Sequence, residues 1–512
     1  MKIGDKILVD DKIPATICYI GSVDNHPGQW IGIEYWNQQG KHNGTYQGKT
    51  YFQTKFQRQT GAFIRPERIS FGHSFTEAIY RQYIKSFSNE TLRNDIDYSL
   101  FGKQYSDYVL ELSSLVRIDL SIQWTNQFDD NQRIYENLQQ IEELNIRQNL
   151  IENWSQISSI LDKYFARLKI LNVSNSRTNF DLNSTKRFDS IEELVLVDVD
   201  YDCDTFQELI PFFPNLNQIH LDLNRLTFIS TQFVDQLQNL TKISLSDNPN
   251  LKSWNPSINN LGKLKYLEEL IANNCGIEQI QLSSEQDFPS LKYLYLSDNQ
   301  ISSFYSINQL SNLRSLISLG ILRNPIYPSN QQESETAKQM IIAHLPNLTH
   351  LNRVLINRDE RRGAEIDYLQ KYAKDYFENR LDFINEHRQY LKLIEKYGEP
   401  MKTDSNELSK KGLCIRSNLL KISFELADEN NQRIEKKIPT SMTIAKLKTF
   451  VKKLFSSKIS INSQINLFIL IDENHKELLG DDYQDIHFYI DTCFNNNQNT
   501  DQTSVIRIET VN

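Results

Sequence analysis

No stretch of this 512-residue chain approaches the roughly 18 consecutive apolar residues of a membrane span, and its start, Met1-Lys2-Ile3-Gly4-Asp5-Lys6, is charged where a secretory signal is apolar. The expectation is a soluble, intracellular protein with no membrane partner. Cysteine is scarce: Cys18, Cys203, Cys275, Cys414 and Cys493 are an odd, scattered set with no Cys-x-x-Cys pair, which fits reduced thiols and argues against a disulfide framework. Positive charge is in deficit, with 56 Lys and Arg against 65 Asp and Glu and a net charge of −9, so no nucleic-acid partner is expected. Catalytic signatures are missing as well: there is no His-Glu-x-x-His and no Gly-x-Ser-x-Gly, and the nine histidines are dispersed. The segment Gly44-Thr45-Tyr46-Gln47-Gly48-Lys49-Thr50 is one residue short of a P-loop and runs into a strand, where a phosphate cradle needs a helix N-terminus. No catalytic residue, metal site or cofactor is expected, and the chain reads as a non-enzyme.

What is present is length and periodicity. Hydrophobic content of 39% and charged content of 24% are ordinary for a folded protein, and 512 residues predict two to four domains. Residues 1–72 combine glycines and aromatics with short β-type runs such as Lys6-Ile7-Leu8-Val9 and Ala15-Thr16-Ile17-Cys18-Tyr19-Ile20, the pattern of a small, bent β-domain. Residues 73–140 read as a connector and as the N-terminal cap of a solenoid.

Residues 141–356 repeat the pattern L-x-x-L-x-L-x-x-N-x-L. Clear copies begin at Leu216, Leu291 and Leu316, and others at Ile141, Leu168, Ile191, Leu240 and Leu267, a spacing of roughly 23 to 27 residues. Alternating apolar residues predict short strands facing a shared core, with the Asn satisfying backbone groups where the chain turns. Ser176, Val199 and Cys275 stand at the Asn position of weaker copies. Residues alternating with the core leucines are expected on the concave face: Gln218, His220, Asp222, Glu269, Ile271, Tyr293, Tyr295 and Leu322. Tyr293 and Tyr295 are the candidate partner anchors, the alternative being that they stack on each other or on flanking loops.

Residues 357–400 read as a capping helical region. Within it Glu360-Arg361-Arg362-Gly363-Ala364-Glu365 is either a partner contact or a helix paired to the last repeat. Residues 401–412 are linker-like, and 413–512 give a β-β-α-β order of ubiquitin-like type with an Asn/Gln-rich loop over 494–504 before a last strand. Lys446, Lys448, Lys452 and Lys453 form either a partner-binding basic face or a solvated one. The end, Glu509-Thr510-Val511-Asn512, lacks the Gly-Gly that conjugation requires, so this domain is expected only to dock.

The N-terminal motifs are the most specific. Pro27-Gly28-Gln29-Trp30-Ile31-Gly32-Ile33-Glu34, Gly40-Lys41-His42-Asn43-Gly44, Gly48, Tyr51-Phe52 and Gly61-Ala62-Phe63-Ile64-Arg65-Pro66 together resemble a CAP-Gly domain. The family string is Gly-Lys-Asn-Asp-Gly, from which His42 and Asn43 depart; the lost Asp removes a negative charge and bears on loop order. The resemblance implies a groove for an acidic tail ending in Glu-Glu-Tyr or Phe. In the present residues Trp30, Phe52 and Phe63 form an apolar slot and Lys41, Lys49 and Arg65 pair with carboxylates, with His42, Asn43 and Gly44 shaping the loop. The competing reading is a plain aromatic core under solvated lysines.

Front to back, the order CAP-Gly, leucine-rich repeats and ubiquitin-like end resembles the tubulin folding cofactor E (tubulin-specific chaperone E) family. The exit segment Thr60-Gly61-Ala62-Phe63-Ile64-Arg65-Pro66 with Phe71-Gly72, and Glu360 to Glu365, strengthen the match. The resemblance implies a multidomain α/β and β protein: a small β CAP-Gly domain, an α/β solenoid and an α+β β-grasp end. It implies a cytoplasmic, cytoskeleton-associated, monomeric chaperone that takes α-tubulin by tail and body. With other tubulin folding cofactors, such a protein assembles and disassembles the heterodimer. Two other readings stay open: a cytoskeletal linker or microtubule-end binder, and an adaptor linking tubulin to the proteasome or ubiquitin machinery. Sustained heptads, usual in a linker, are missing.

Overall fold

The computed structural model describes the chain except residues 37–39, 56–57, 85–111, 183–184, 329, 379–382, 384–386, 401–418, 428–432, 440–441, 457, 461–462, 471–474, 483, 487, 491–503 and 512. The linker expected over 401–412, Cys414, Cys493 and the Asn/Gln-rich loop up to residue 503 lie outside the described residues. Two compact units divide the chain, Met1–Met401 and Lys402–Asn512.

The first unit opens with a five-stranded antiparallel sheet. Strands β1 (Lys6–Val9), β2 (Ile13–Val23) and β3 (His26–Tyr35) lie between the edge strands Gly61–Ile64, beside β3, and Ile69–Ser70, beside β1. Successive side chains alternate between faces, so Ile7, Val9, Ala15, Ile17, Ile31, Ile33, Ala62 and Ile64 make one buried core. The opposite face carries Trp30, Gly32 and Glu34, with Glu34 opposite Thr16 and Gly61, and Gly32 opposite Phe63. A register shift between Ile17 and Tyr19 places Tyr19, not Cys18, opposite Gly32. β1 is buried on both sides: Leu8 packs with Trp36 and Leu150 of the solenoid.

The solenoid is an eleven-stranded sheet. Its parallel three-residue strands run from Arg117–Asp119 to Ser318–Gly320, followed by His350–Leu351 and an antiparallel closing strand, Val354–Leu355. The range expected to cap the solenoid therefore contributes its first strand. Central strand residues Ile118, Leu144, Leu171, Leu194, Ile219, Ile243, Leu270, Leu294 and Leu319 are fully buried in one continuous core.

The turn that follows each strand has one form. The residue before the Asn position is left-handed in all eight copies, at Gln148, Asn175, Asp198, Leu223, Asp247, Asn274, Asp298 and Arg323, with φ between 50° and 61°. Ile122, at φ 59°, marks the same turn after Arg117–Asp119. The Asn side chain then bridges repeats: Asn248 donates to the Leu221 and Leu245 carbonyls at 3.0 and 2.7 Å and accepts from the Leu226 amide at 3.2 Å. Where Asn is replaced the ladder survives, because Cys275 donates Sγ to the Leu245 carbonyl at 3.2 Å while its amide binds Asn299 at 2.9 Å.

The stack closes with helices Gln331–His344 and Arg358–Lys371. Asn357 caps the second through the Glu360 amide at 2.8 Å. Glu360 pairs with Lys338 at 2.6 Å, Arg361 donates to the carbonyls of Ile342, Leu345 and Leu348, and the buried Glu365 accepts from Lys396 and Tyr397 at 2.6 and 2.7 Å. These are the contacts of local pairing, the second of the two readings offered for this segment.

In the second unit the strand order is Arg433–Pro439, Leu419–Leu426, Ser504–Val511, Gln464–Leu470, Lys476–Leu478, with Leu419–Leu426 and Ser504–Val511 parallel. Helix Ile444–Leu454 buries Ile444, Leu447 and Val451, completing an α+β fold of the expected ubiquitin-like order. Lys448 pairs with Asp482 at 2.7 Å, while Lys446 and Lys453 are exposed.

Among the described residues no three His, Cys, Asp or Glu side chains are grouped as a metal site requires, and no helix is long and apolar enough to cross a membrane.

Candidate functional site

On the N-terminal sheet, the face opposite the core is covered by the segments around Gly44 and Phe52, and glycines permit the approach. A Cβ at Gly32 would stand 2.5 Å from the Phe52 ring, and one at Gly44, where φ is 98°, would stand 2.0 Å from the Phe52 carbonyl oxygen. Phe52 is therefore buried, a wall and not a surface, while Phe63 is half-buried at the centre of a cluster of rings. Its centroid lies 5.0 Å from His42, 5.3 Å from Tyr51, 5.6 Å from Phe52, 6.1 Å from Tyr19 and 6.2 Å from Tyr46. Rings packed edge to face at these distances hold one another in place, so this side of the module is ordered before any ligand arrives.

Trp30 stands at the cluster's end, half-buried, with the Arg65 guanidinium 3.8 Å over its ring and donating to the Gln29 carbonyl at 3.2 Å. The Trp30 indole N–H has no hydrogen-bond partner among the described residues. His26 joins Trp30 to Tyr46, 5.9 Å from the first ring and 3.2 Å from the second's hydroxyl. Loop order comes from His42 and Asn43: His42 Nδ1 accepts from the Gly44 amide at 3.0 Å, and Asn43 Oδ1 from the Thr45 amide at 3.3 Å. Burial, and next the Lys41 charge, lower the His42 pKa from its ordinary value, so the ring is neutral at pH 7.

The three cations differ. Lys41 is exposed beside the loop, Arg65 is committed to Trp30, and Lys49 is held by both Asp24 carboxylate oxygens at 3.0 and 2.9 Å. The structure thus brings together Trp30, Lys41, His42, Asn43, Gly44, Phe52, Phe63 and Arg65, and gives Lys49 an internal partner. Sequence reasoning missed Tyr19, Tyr46 and His26 as walls and Asp24 as a competitor. Period-two alternation broken by the bulge at Cys18 hid Tyr19.

Along the solenoid's concave strands, Gln218, His220, Asp222, Glu269, Ile271 and Tyr295 are half-buried and Tyr293 is 37% exposed. Cross-strand pairs use part of this surface. His220 lies 3.4 Å from Glu193 and holds its carboxyl below the usual range; Lys242 lies 3.4 Å from Glu269. Asp222 accepts from the Ser246 amide at 2.7 Å and from the Ser244 hydroxyl. Tyr295 lies across Gly320, where a Cβ would meet its ring at 2.8 Å. Tyr293 projects, and Leu223 and Leu322 are exposed beside the concave strands at 53% and 41%.

A family model described as "CAP-Gly domain" matches residues 3–69 and one described as "Leucine-rich repeat" matches residues 255–379. Similarity to curated proteins runs nearly end to end. "Tubulin-specific chaperone E" of Pongo abelii and of Homo sapiens are each 30% identical over 491 residues, 90% of this chain and 91% of theirs. The protein of that name in Drosophila melanogaster is 26% identical over 514 residues, 93% of each chain. A solved C-terminal ubiquitin-like domain of mouse tubulin-specific chaperone E aligns with 19% of this chain and 89% of its own at 20% identity and a TM-score of 0.15; the β-grasp order rests on the strand topology itself. The chain belongs to the tubulin-specific chaperone E family.

Proposed function

We propose that this chain is a tubulin folding cofactor that captures α-tubulin and assists assembly and disassembly of the α/β-tubulin heterodimer. The observation that carries the reading is the cluster of rings around the half-buried Phe63, flanked by Lys41 and Arg65, on a chain related to chaperones of that name over nine-tenths of its length. In this reading the slot takes the terminal aromatic of an acidic tail, with Lys41 and Arg65 facing its carboxylates. Tyr293 and Leu322, on neighbouring repeats, and Leu223 farther along the stack offer exposed apolar contacts for the globular body of the same client. The ubiquitin-like unit docks a second partner, another folding cofactor or ubiquitin machinery, through Lys446 and Lys453. Weak contacts linked in one chain gain strength through effective concentration.

Calorimetric titration of the full chain with a peptide ending in Glu-Glu-Tyr tests the groove. Lys41→Ala and Trp30→Ala are expected to weaken binding about tenfold each, on the order of 1.4 kcal/mol. Equal affinity in all three proteins overturns the assignment of the slot.

A further inference from the structure

The face of β1 that meets the solenoid holds a lysine that no hydrogen bond or ion pair engages among the described residues. Lys6 is 8% exposed, sits opposite Thr16 in the sheet, and its ammonium has no hydrogen-bond or ion-pair partner among the described residues. It lines a cleft of about 540 Å³ between the N-terminal module and the solenoid, together with Lys55, Arg58, Arg177, Trp36 and Thr178. The other charges there are engaged. Lys55 and Arg58 reach Asp200, Arg177 reaches Asp198, and Glu34 accepts from the Lys55 amide and the Thr60 hydroxyl. The Thr178 hydroxyl, also buried, has no partner among the described residues. Burial, and after it repulsion from Lys55, brings the Lys6 pKa down to about 8; Arg177 also pushes it down, while Cys18 and Glu152 push it up.

A lysine this deeply buried, beside Lys55 and Arg177 and with Glu152 only partly offsetting them, is costly, and a lysine kept only for packing would be replaced by an apolar residue of its length. An anion in the cleft removes the cost. We infer that the cleft between the β-module and the solenoid is an oxyanion site, in which Lys6 receives one carboxylate or phosphate group and Arg177 and Thr178 line the far wall. Both ligand sources share this chemistry: the acidic side chain of a peptide, or free phosphate. Occupancy would tie Lys6 of the module to the Arg177 side of the solenoid and so fix the two against each other. This inference does not depend on the tail-binding groove.

The test is calorimetry of the full chain at pH 8 and constant ionic strength, with inorganic phosphate in one arm and N-acetylglutamate in the other. Each arm is run in two buffers of different ionisation enthalpy. A Lys6 that is about half protonated when free takes up on the order of half a proton when an anion binds. The expected result is saturable one-site binding of at least one probe, with that proton uptake in the native chain; the tighter probe names the source. Lys6→Met, which keeps the stem and removes the charge, is expected to fold and lose at least tenfold in affinity together with the proton uptake. Neither probe binding to the native chain, or binding without proton uptake, overturns the inference on the native protein alone. Unchanged binding in Lys6→Met overturns it as well.

Discussion

Arg58 of the N-terminal module donates to the Asp200 carboxylate of the solenoid at 2.7 Å, across 142 residues of sequence. Asp200 is nearly buried and also accepts from Arg225 at 2.5 Å, while Lys55 lies 3.5 Å away and donates to the Asp200 carbonyl at 2.9 Å. One carboxylate thus gathers three cations from two folds, and removing it leaves them facing one another.

Asp200→Asn is therefore expected to destabilise the first unit by about 1 to 2 kcal/mol, below the scale of a fully buried pair because the three cations are about a third to a half exposed. Thermal unfolding followed alongside limited proteolysis between residues 72 and 117 checks it. An unchanged melting temperature and cleavage pattern would show that the clamp contributes nothing.

Asp24 competes for Lys49 with any acidic ligand, both side chains being more than half exposed. Asp24→Ala is expected to strengthen binding of a Glu-Glu-Tyr peptide by about two- to fivefold, a small gain because the pair is exposed, and the gain should shrink as salt rises. Lys49→Ala is expected to cost less affinity than Lys41→Ala. The reverse order in a side-by-side titration contradicts this division of the cations.

The Asn ladder predicts graded losses. Asn248→Ala strips hydrogen bonds from the Leu221 and Leu245 carbonyls and the Leu226 amide, all buried, at about 3 kcal/mol. Val199 shows that a repeat tolerates an apolar residue when its amide is taken by the next Asn, here Asn224 at 3.1 Å. Val199→Asn is accordingly expected to change stability by less than about 1 kcal/mol. Denaturant midpoints of the two variants decide the point; equal midpoints would mean that the ladder adds no stability.

Much of this architecture was legible because its determinants are local. Leu294 and Leu319 repeat at fixed spacing, and the Phe63 and Trp30 motifs sit among glycines that close packing or a left-handed backbone requires. Long-range pairings were not legible. Neither the Arg58–Asp200 contact nor the Lys49–Asp24 pair leaves a spacing signal, since the first joins the module to the solenoid and the second joins two segments of the module. The first solenoid strand was hidden because its repeat, Leu115-x-x-Ile118-x-Leu120-x-x-Gln123, has Gln at the Asn position and lies next to a stretch without periodicity. Its turn at Ile122 nonetheless has the left-handed form of the others.

His344 supplies a pH dependence. It is buried between Phe304 and Tyr368, with Nδ1 at 2.7 Å from the Met340 carbonyl, and burial lowers its pKa to about 4. A base whose folded pKa lies below its unfolded value of about 6.5 binds its proton first in the unfolded chain. Stability is therefore lost as pH falls from about 6.5 towards 4, by up to about 3 kcal/mol. His344→Phe is expected to flatten melting temperature against pH in that window. A slope identical to that of the native chain would assign the acid sensitivity elsewhere.

The central claim, that one chain grips α-tubulin by tail and body and works on the heterodimer, is met most directly by mixing the full chain with soluble tubulin dimers and following dimer loss by analytical ultracentrifugation. Dimers are expected to disappear in proportion to the chain added, and Lys41→Ala to slow their loss. Dimers that persist unchanged at stoichiometric excess and low salt would contradict it.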